Sequence, residues 1–541
     1  MSKSGNSSFA AIVTVFFFWG FLAASNGIFI PFCKTHFNLT QFQSQLIDSA
    51  FYGAYFIGSL LLYMFSLKLN SDIINKIGYK TTIVYGLAIS ILGALVMIPA
   101  VNSGSFPFIL VAFFIIALGF SMQQTTANPL VLNISDPAKG SHRLNFAGSI
   151  NSFGTTIGPI LISFVLFGKA IASSEDKAMA SISSINILYI ILAIAFAAAA
   201  IILYFTKIPK LTIEESDSNM KVLKAPLFFI IGMLLFLVLV LLYFAIDAFS
   251  SSDKNENQFT FLISFAAFLF ALAMILVFQF RKIKKNNRLE TKSYPQVLLG
   301  MLAIFVYVGV EVSIQSNLGS LLKLPDFGGL DNSQISPFVS LYWGSLMIGR
   351  WTGSIGAFNL KRPLRILFTI VIPFLALSLV LYMNYLSGAD ASKFLMYIIC
   401  VVILIAAFFM GRQKPALTLI IFGVLGTVAM LVGLLTTGTL SVYAFLSGGL
   451  FCSIMWPCIF SLATAGLGKY TSQASGFLIM MILGGAFIPP MQGLLSDKTN
   501  IHLSYIIPVF CFAFLTWYAF RVKSILKNSG IDYDKPATAE H

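Results

Sequence analysis

The chain has 541 residues, 58% of them hydrophobic and only 10% charged, with a mean hydropathy of +0.88. A soluble domain carries about 25% charged residues, so a water-soluble globular protein is excluded. The net charge of +14 does not indicate nucleic-acid binding, because lysine and arginine sit in short interruptions between long apolar runs.

About 20 apolar residues suffice to span a bilayer, and the chain offers many such runs. After a short polar start with no cleavable signal pattern, spans are predicted near 10–31, 45–66, 79–100, 107–133, 145–168 and 184–205. A pair follows near 226–246 and 259–279, then spans near 296–316, 336–357 and 364–386. The remainder lie near 391–409, 415–436, 439–464, 472–496 and 502–521, which makes sixteen. Basic loops resist translocation. With both termini in the cytoplasm, only Lys34, Lys169, Lys177, Lys254, Lys323, Lys393 and Lys498 of the 34 basic residues fall outside. The run from Arg281 to Lys292 is cytoplasmic only if both central segments cross; it serves as a topology anchor or, secondarily, as an anionic-lipid site.

An internal repeat organises these spans. FYGAYFIG at 51–58 matches YWGSLMIG at 342–349, and NSFGTTIGP at 151–159 matches LGGAFIP at 483–489. Pro129 and Pro457 precede the second motif by similar intervals, reaching Pro159 and Pro489 after 30 and 32 residues. Closely spaced glycines let helix backbones approach within a membrane. The interval from Gly53 to Pro129 is 76 residues, whereas Gly344 to Pro457 is 113. The excess matches one helix pair inserted between 364 and 436. Removing it and the central pair leaves two six-helix repeats, the major facilitator architecture, with a solute site between the halves. The expected organisation is a first half at 1–208, linkers and a helix pair at 209–292, a second half at 293–524 and a tail at 525–541.

In chain order, FFFWGF at 16–21, SNGIFIP at 25–31, FQSQLIDSAFYGAYFIGS at 42–59, TTANP at 125–129, HRLNFAGSINSFG at 142–154, YVGVEVS at 307–313, GRWTG at 349–353 and IMWPCIFSLA at 454–463 form a specific set, with GFLIMMILGG at 476–485 and GLLSD at 493–497. Together they resemble the fucose permease family of sugar–cation symporters, over about four fifths of the chain. The resemblance implies import of L-fucose, glucose, galactose or a related sugar, driven by a proton or sodium gradient. This chain departs from the proton-coupled relatives at two acids: Gly27 follows Asn26 where they have aspartate, and Gln124 replaces a glutamate. Gly148 stands where the family has a sugar-contacting glutamine, although Asn151 is retained.

Polar residues within the spans supply the candidate site. Glu311 lies deep in its helix, with Tyr307 and Gln315 one turn to either side on one face; an intramembrane carboxylate is costly and therefore a functional candidate. It is the expected coupling residue and sugar acceptor, the alternative being a neutral structural acid. Asp48, near the outer surface, is a second coupling candidate or a hydrated helix start. Arg350, near the inner end of its helix, is expected to snorkel or brace a gate. The amides of Asn26, Gln124, Asn128, Asn151 and Gln315 match sugar hydroxyls with both donors and acceptors, or else bond helices together. Trp456 is expected to stack on a sugar face, since the resemblance places its helix at the cavity. Cys33, Cys400, Cys452, Cys458 and Cys511 show no metal or disulfide spacing, and the four histidines no helical pairing.

The expected function is gradient-driven monosaccharide import by alternating access in a bacterial plasma membrane, by a monomer in contact with lipid and without cofactor, metal, nucleic acid or ATP-binding P-loop. The alternatives are an uncoupled sugar facilitator, a carrier of another polar solute, a sugar sensor and an enzyme acting on lipid-linked sugars.

Overall fold

Backbone polar groups find no water inside a bilayer, so a spanning segment of this kind must satisfy them within a helix. The computed structural model is accordingly a helical bundle. It describes residues 3–208, apart from 38–40, 70, 134–138 and 168–180. It also describes 294–531, apart from 331, 359, 387–388 and 412–413, and between these parts 222–224, 230–235, 288–290 and three isolated positions. The expected central pair at 226–279 and the basic run before Lys292 therefore fall largely outside the described residues.

The first part contains α1 (Lys3–His36), α2 (Gln41–Leu69), the short α3 (Ile73–Ile77), α4 (Tyr79–Asn102), α5 (Phe106–Asn133), α6 (Gly140–Phe167) and α7 (Ile182–Phe205). Strands β1 (Val222–Lys224) and β2 (Arg288–Glu290) pair in parallel. The second part contains α8 (Pro295–Leu322), α9 (Asn332–Ser354), α10 (Arg362–Leu386), α11 (Ile398–Gly411) and α12 (Pro415–Leu435). It continues with α13 (Gly438–Cys452), α14 (Met455–Ala463), α15 (Thr471–Met480), α16 (Gly484–Lys498), α17 (Ile501–Ser504) and α18 (Ile506–Asn528). Among the described residues eleven helical segments are long and apolar enough to cross a membrane, against the sixteen expected. The helix α9 falls outside that number although it has 23 residues, because its sequence mixes serines, glycines and Arg350 into the apolar run.

Side-chain contacts fix the direction of each helix. Ser8 donates to the Lys207 carbonyl and Lys80 to the Tyr204 carbonyl, so α1 and α4 begin where α7 finishes. Tyr294 lies beside Tyr470 at the same end, where Gln296 also reaches the Ala465 carbonyl. This terminal end thus holds the start of α1 and the finish of α18. Pairs such as Asn186–Asn102 and Phe327–His502 mark the far end.

Packing follows one plan twice. In the first part α1 lies on α6, α2 on α5, and α4 on both α5 and α7. In the second, α8 lies on α16, α9 on α13, and α12 on both α13 and α18. The helix equivalent to α4 is therefore α12, which leaves α10 and α11 as the additional pair, with α10 seated against α9. The repeated glycines sit at matching contacts. A side chain at Gly154 would run into the Phe17 carbonyl of α1, and one at Gly484 into the Phe305 carbonyl of α8. Likewise Gly58 faces Ser121, and Gly349 faces Ser453.

The two parts meet through α2 and α5 against α15, and through α6 against α9 and α14. Among the described residues the hydrogen bonds between them run from the terminal end to mid-bundle. Examples are Asn75 to the Lys469 carbonyl (3.2 Å), His142 to the Gly353 carbonyl (3.2 Å) and Ser149 to the Arg350 carbonyl (2.8 Å). The bundle is closed at the terminal end.

Candidate functional site

Mid-bundle, α8 and α9 bring opposite charges together. Arg350 Nη2 lies 3.1 Å from Glu311 Oε1, with the side chains only 16% and 12% exposed. The guanidinium reaches further than its acid. Nη1 donates to Ser152 Oγ on α6 at 3.0 Å, and Nη2 reaches the Tyr307 hydroxyl at 3.4 Å. Its Nε donates to the Ser453 carbonyl at 3.3 Å. Arg350 therefore does not snorkel to an interface. It turns inward, because a guanidinium buried mid-bundle is stable only with its donors paired.

Two prolines explain how backbone enters this region. Proline has no N–H, so Pro457 leaves the Ser453 carbonyl, four residues earlier, without its helical donor. Arg350 Nε takes that acceptor. Pro129 does the same to the Thr125 carbonyl, which instead accepts Ser475 Oγ from the other part of the molecule at 2.7 Å. Gly148 of α6 lies beside the arginine stem: a Cβ there would sit 3.6 Å from Cδ of Arg350, an ordinary van der Waals distance.

Of the residues expected from sequence, Tyr307, Glu311, Arg350 and Trp456 come together. The Trp456 ring centre lies 6.3 Å from that of Tyr307 and stacks along Phe460 at 6.0 Å. Gln315 is partly exposed one turn beyond Glu311 and makes no side-chain hydrogen bond among the described residues. Gln124 lies on α5 in the first part, where its amide donates to the Tyr55 hydroxyl at 2.9 Å. Two amides are engaged structurally instead. Asn128 donates to the Gln124 carbonyl of its own helix at 2.9 Å, and Asn151 ties α6 to the Phe16 carbonyl of α1 at 3.0 Å. The side chains of Asn26 and Asp48 lie outside the described residues.

The sequence did not single out Ser152, Ser453, Tyr55 or Tyr342. Ser152 neighbours Asn151 and could have been found by asking which α6 residue faces α9. Tyr342 donates to the Glu311 carbonyl at 2.7 Å and fixes the backbone under the acid. A second polar cluster also escaped notice, at the terminal end. Asp72 caps α3 through the amides of Ile74 (2.9 Å) and Asn75 (3.4 Å), and also accepts Ser472 Oγ from the other part of the molecule. Burial holds the Asp72 carboxyl above the usual carboxylate range, against the lowering effect of these hydrogen bonds.

No family model matches the chain. Full-length relatives do. The chain is 29% identical over 519 residues to a glucose/galactose transporter of Brucella abortus (strain 9-941), covering 96% of this chain and 95% of that protein. It is 24% identical over 524 residues to the L-fucose-proton symporter of Escherichia coli (strain K12), covering 96% and 93%. The crystal structure of the Escherichia coli fucose:proton symporter superposes with a TM-score of 0.62 at 22% identity, over 96% of this chain and 99% of that one. With a repeated bundle closed at one end, the chain is a multi-pass membrane protein with the major facilitator fold, similar along nearly its whole length to these sugar carriers.

Proposed function

We propose that the protein is a secondary active transporter that imports a monosaccharide, a hexose, deoxyhexose or amino sugar, by alternating access. The observation that carries the reading is the Glu311–Arg350 pair at the junction of the two halves. Ionisable groups inside a bilayer are costly and mark solute or ion pathways. Here one guanidinium holds the acid of α8 with one nitrogen and Ser152 of α6 with another. A proton or sodium ion that neutralises Glu311 would loosen Arg350, and with it a link between the halves. Sugar hydroxyls would compete for the same groups, with Gln124, Tyr307 and Gln315 contributing further contacts and Trp456 a stacking face.

Within this reading both termini are cytoplasmic, the chain crosses sixteen times, and the closed terminal end makes this an outward-facing state. The halves comprise residues 1–208 and 293–524, with the additional pairs in 209–292 and 364–436. Asp48 and Asn26 remain candidates for coupling and binding, and Arg350 gains a gating role through its bonds rather than its position. The glucose/galactose and L-fucose carriers among the relatives support this substrate class. Replacement of the family's two acids by Gly27 and Gln124 favours a second reading, an uncoupled facilitator.

Purified protein in liposomes, given labelled glucose, galactose or L-fucose with an imposed proton or sodium gradient, tests both. Accumulation above the equilibrium level is expected for at least one sugar with one gradient. Equilibration without accumulation under either gradient establishes the facilitator, and absence of saturable uptake overturns sugar transport.

A further inference from the structure

A cavity of about 420 Å³ lies between the additional pair and the repeat helices, toward the terminal end. Its walls come from α6, α9, α10, α11, α12 and α14, so it touches both halves. Arg362 and Arg365 of α10 line it together with Phe408 and Phe409 of α11, and His142 and Asn145 of α6 close the inner wall. Its chemistry is unlike that of the Glu311 cluster, for it combines two arginines with aromatic walls and contains no acid.

Three observations indicate its occupant. First, α10 begins with Lys361, Arg362 and Arg365 and carries no acidic residue in its first turn. Cations at a helix N-terminus oppose the helix dipole, whereas an anion there is favoured by it. Second, the outward surface beside the cavity is apolar. Leu364, Ile366, Leu367 and Phe409 are all exposed, as they would be against acyl chains. Third, Asn145 is only 4% exposed, yet its Oδ1 accepts no hydrogen bond among the described residues. A buried acceptor without a protein partner is open to a donor from a ligand or from water.

We propose that this cavity binds the headgroup of an anionic phospholipid bearing hydroxyl groups, of the phosphatidylglycerol type. The phosphodiester sits between Arg362, Arg365 and the start of α10, a headgroup hydroxyl donates to Asn145 Oδ1, and the acyl chains run along the exposed face of α10 and Phe409. Basic pockets between membrane helices bind anionic lipid headgroups by this logic. The phosphate chemistry would be shared by inorganic phosphate or a soluble phosphate ester, and the apolar flank is what selects the lipid. The site does not depend on which solute the protein carries.

Native mass spectrometry and thermal unfolding of the full-length protein in detergent test the site, with phosphatidylglycerol, phosphatidylcholine and inorganic phosphate as separate additions. Wild type is expected to retain phosphatidylglycerol preferentially and to melt several degrees higher with it. Arg362→Gln with Arg365→Gln should reduce that preference about twenty-five-fold, from roughly fivefold per arginine. Ile366→Trp, which fills the mouth and keeps both arginines, should also reduce it. Lys284→Gln with Lys285→Gln, in the basic run from Arg281 to Lys292 of the sequence, should leave it unchanged. Equal retention of the two lipids by wild type overturns the proposal. So does a preference that survives both the arginine and the tryptophan changes, or one lost only with Lys284 and Lys285. Equal protection by inorganic phosphate alone overturns the lipid as occupant.

Discussion

Arg350 is the residue on which most other contacts in the site depend, and its role separates two effects of changing Glu311. Glu311→Gln keeps shape and hydrogen-bonding capacity but removes the charge. It should abolish gradient-driven accumulation while sugar counterflow, which needs binding and rocking but no net ion movement, persists. Accumulation that continues undiminished would move attention to Asp48. Removing one partner of a buried ion pair destabilises by about 3–5 kcal/mol, mostly by stranding the other charge. Glu311→Ala should therefore lower the melting temperature more than the double change with Arg350→Met, and a thermal double-mutant cycle checks this. Asp72 gives a prediction of opposite character. Its carboxyl is raised by burial in the closed end, so the closed form binds the proton more tightly than an opened, hydrated one. The favourable contribution is complete below the ordinary carboxylate range, about 4, and is lost as pH rises through the raised value. Spin labels attached at the terminal ends of α2 and α15, which pack together in the closed form, should report more of the short, closed distance at acid than at neutral pH. In Asp72→Asn that dependence should flatten.

At the scale of helices, the close approaches divide glycines that are structural from those that are not. Gly484→Ala forces a methyl group into the Phe305 carbonyl, and overpacking of this kind costs about 1–3 kcal/mol. Gly53 has open space around it, so Gly53→Ala should be neutral, or stabilising by up to about 1 kcal/mol through helix propensity. Melting temperatures of the two variants decide it. Much of this was legible in sequence, because apolar runs, repeated glycines and prolines are one-dimensional signals. Gly154 and Gly484 were paired by spacing alone, and they make equivalent contacts. Glu311 was visible as an acid where acids are costly. Partners were not visible. Nothing local says that Asn151 turns to the Phe16 carbonyl, that Asn128 bonds its own helix, or that Arg350 turns inward. Asp72 was hidden because an acid in a loop looks ordinary until a distant serine is folded onto it.

For the molecule as a whole, topology is the property most open to a direct test. With the terminal end in the cytoplasm and both central segments crossing, a cysteine at Asn255 should react from outside with an impermeant thiol reagent. Reaction only after permeabilisation would refute that arrangement. The described ends already limit the possibilities. The first half finishes at the terminal end with Phe205, and the second begins at that same end with Pro295. In the same way α9 reaches the terminal end at Ser354, α10 and α11 go out and back, and α12 starts there at Pro415. The α10–α11 addition is a round trip. A chain built this way can gain or lose a hairpin without inverting any helix that follows, so every downstream charge keeps its side of the membrane. Length can then vary by tens of residues between carriers that share one mechanism, and excision of α10 and α11 is the cut that would leave an intact, correctly oriented two-fold core.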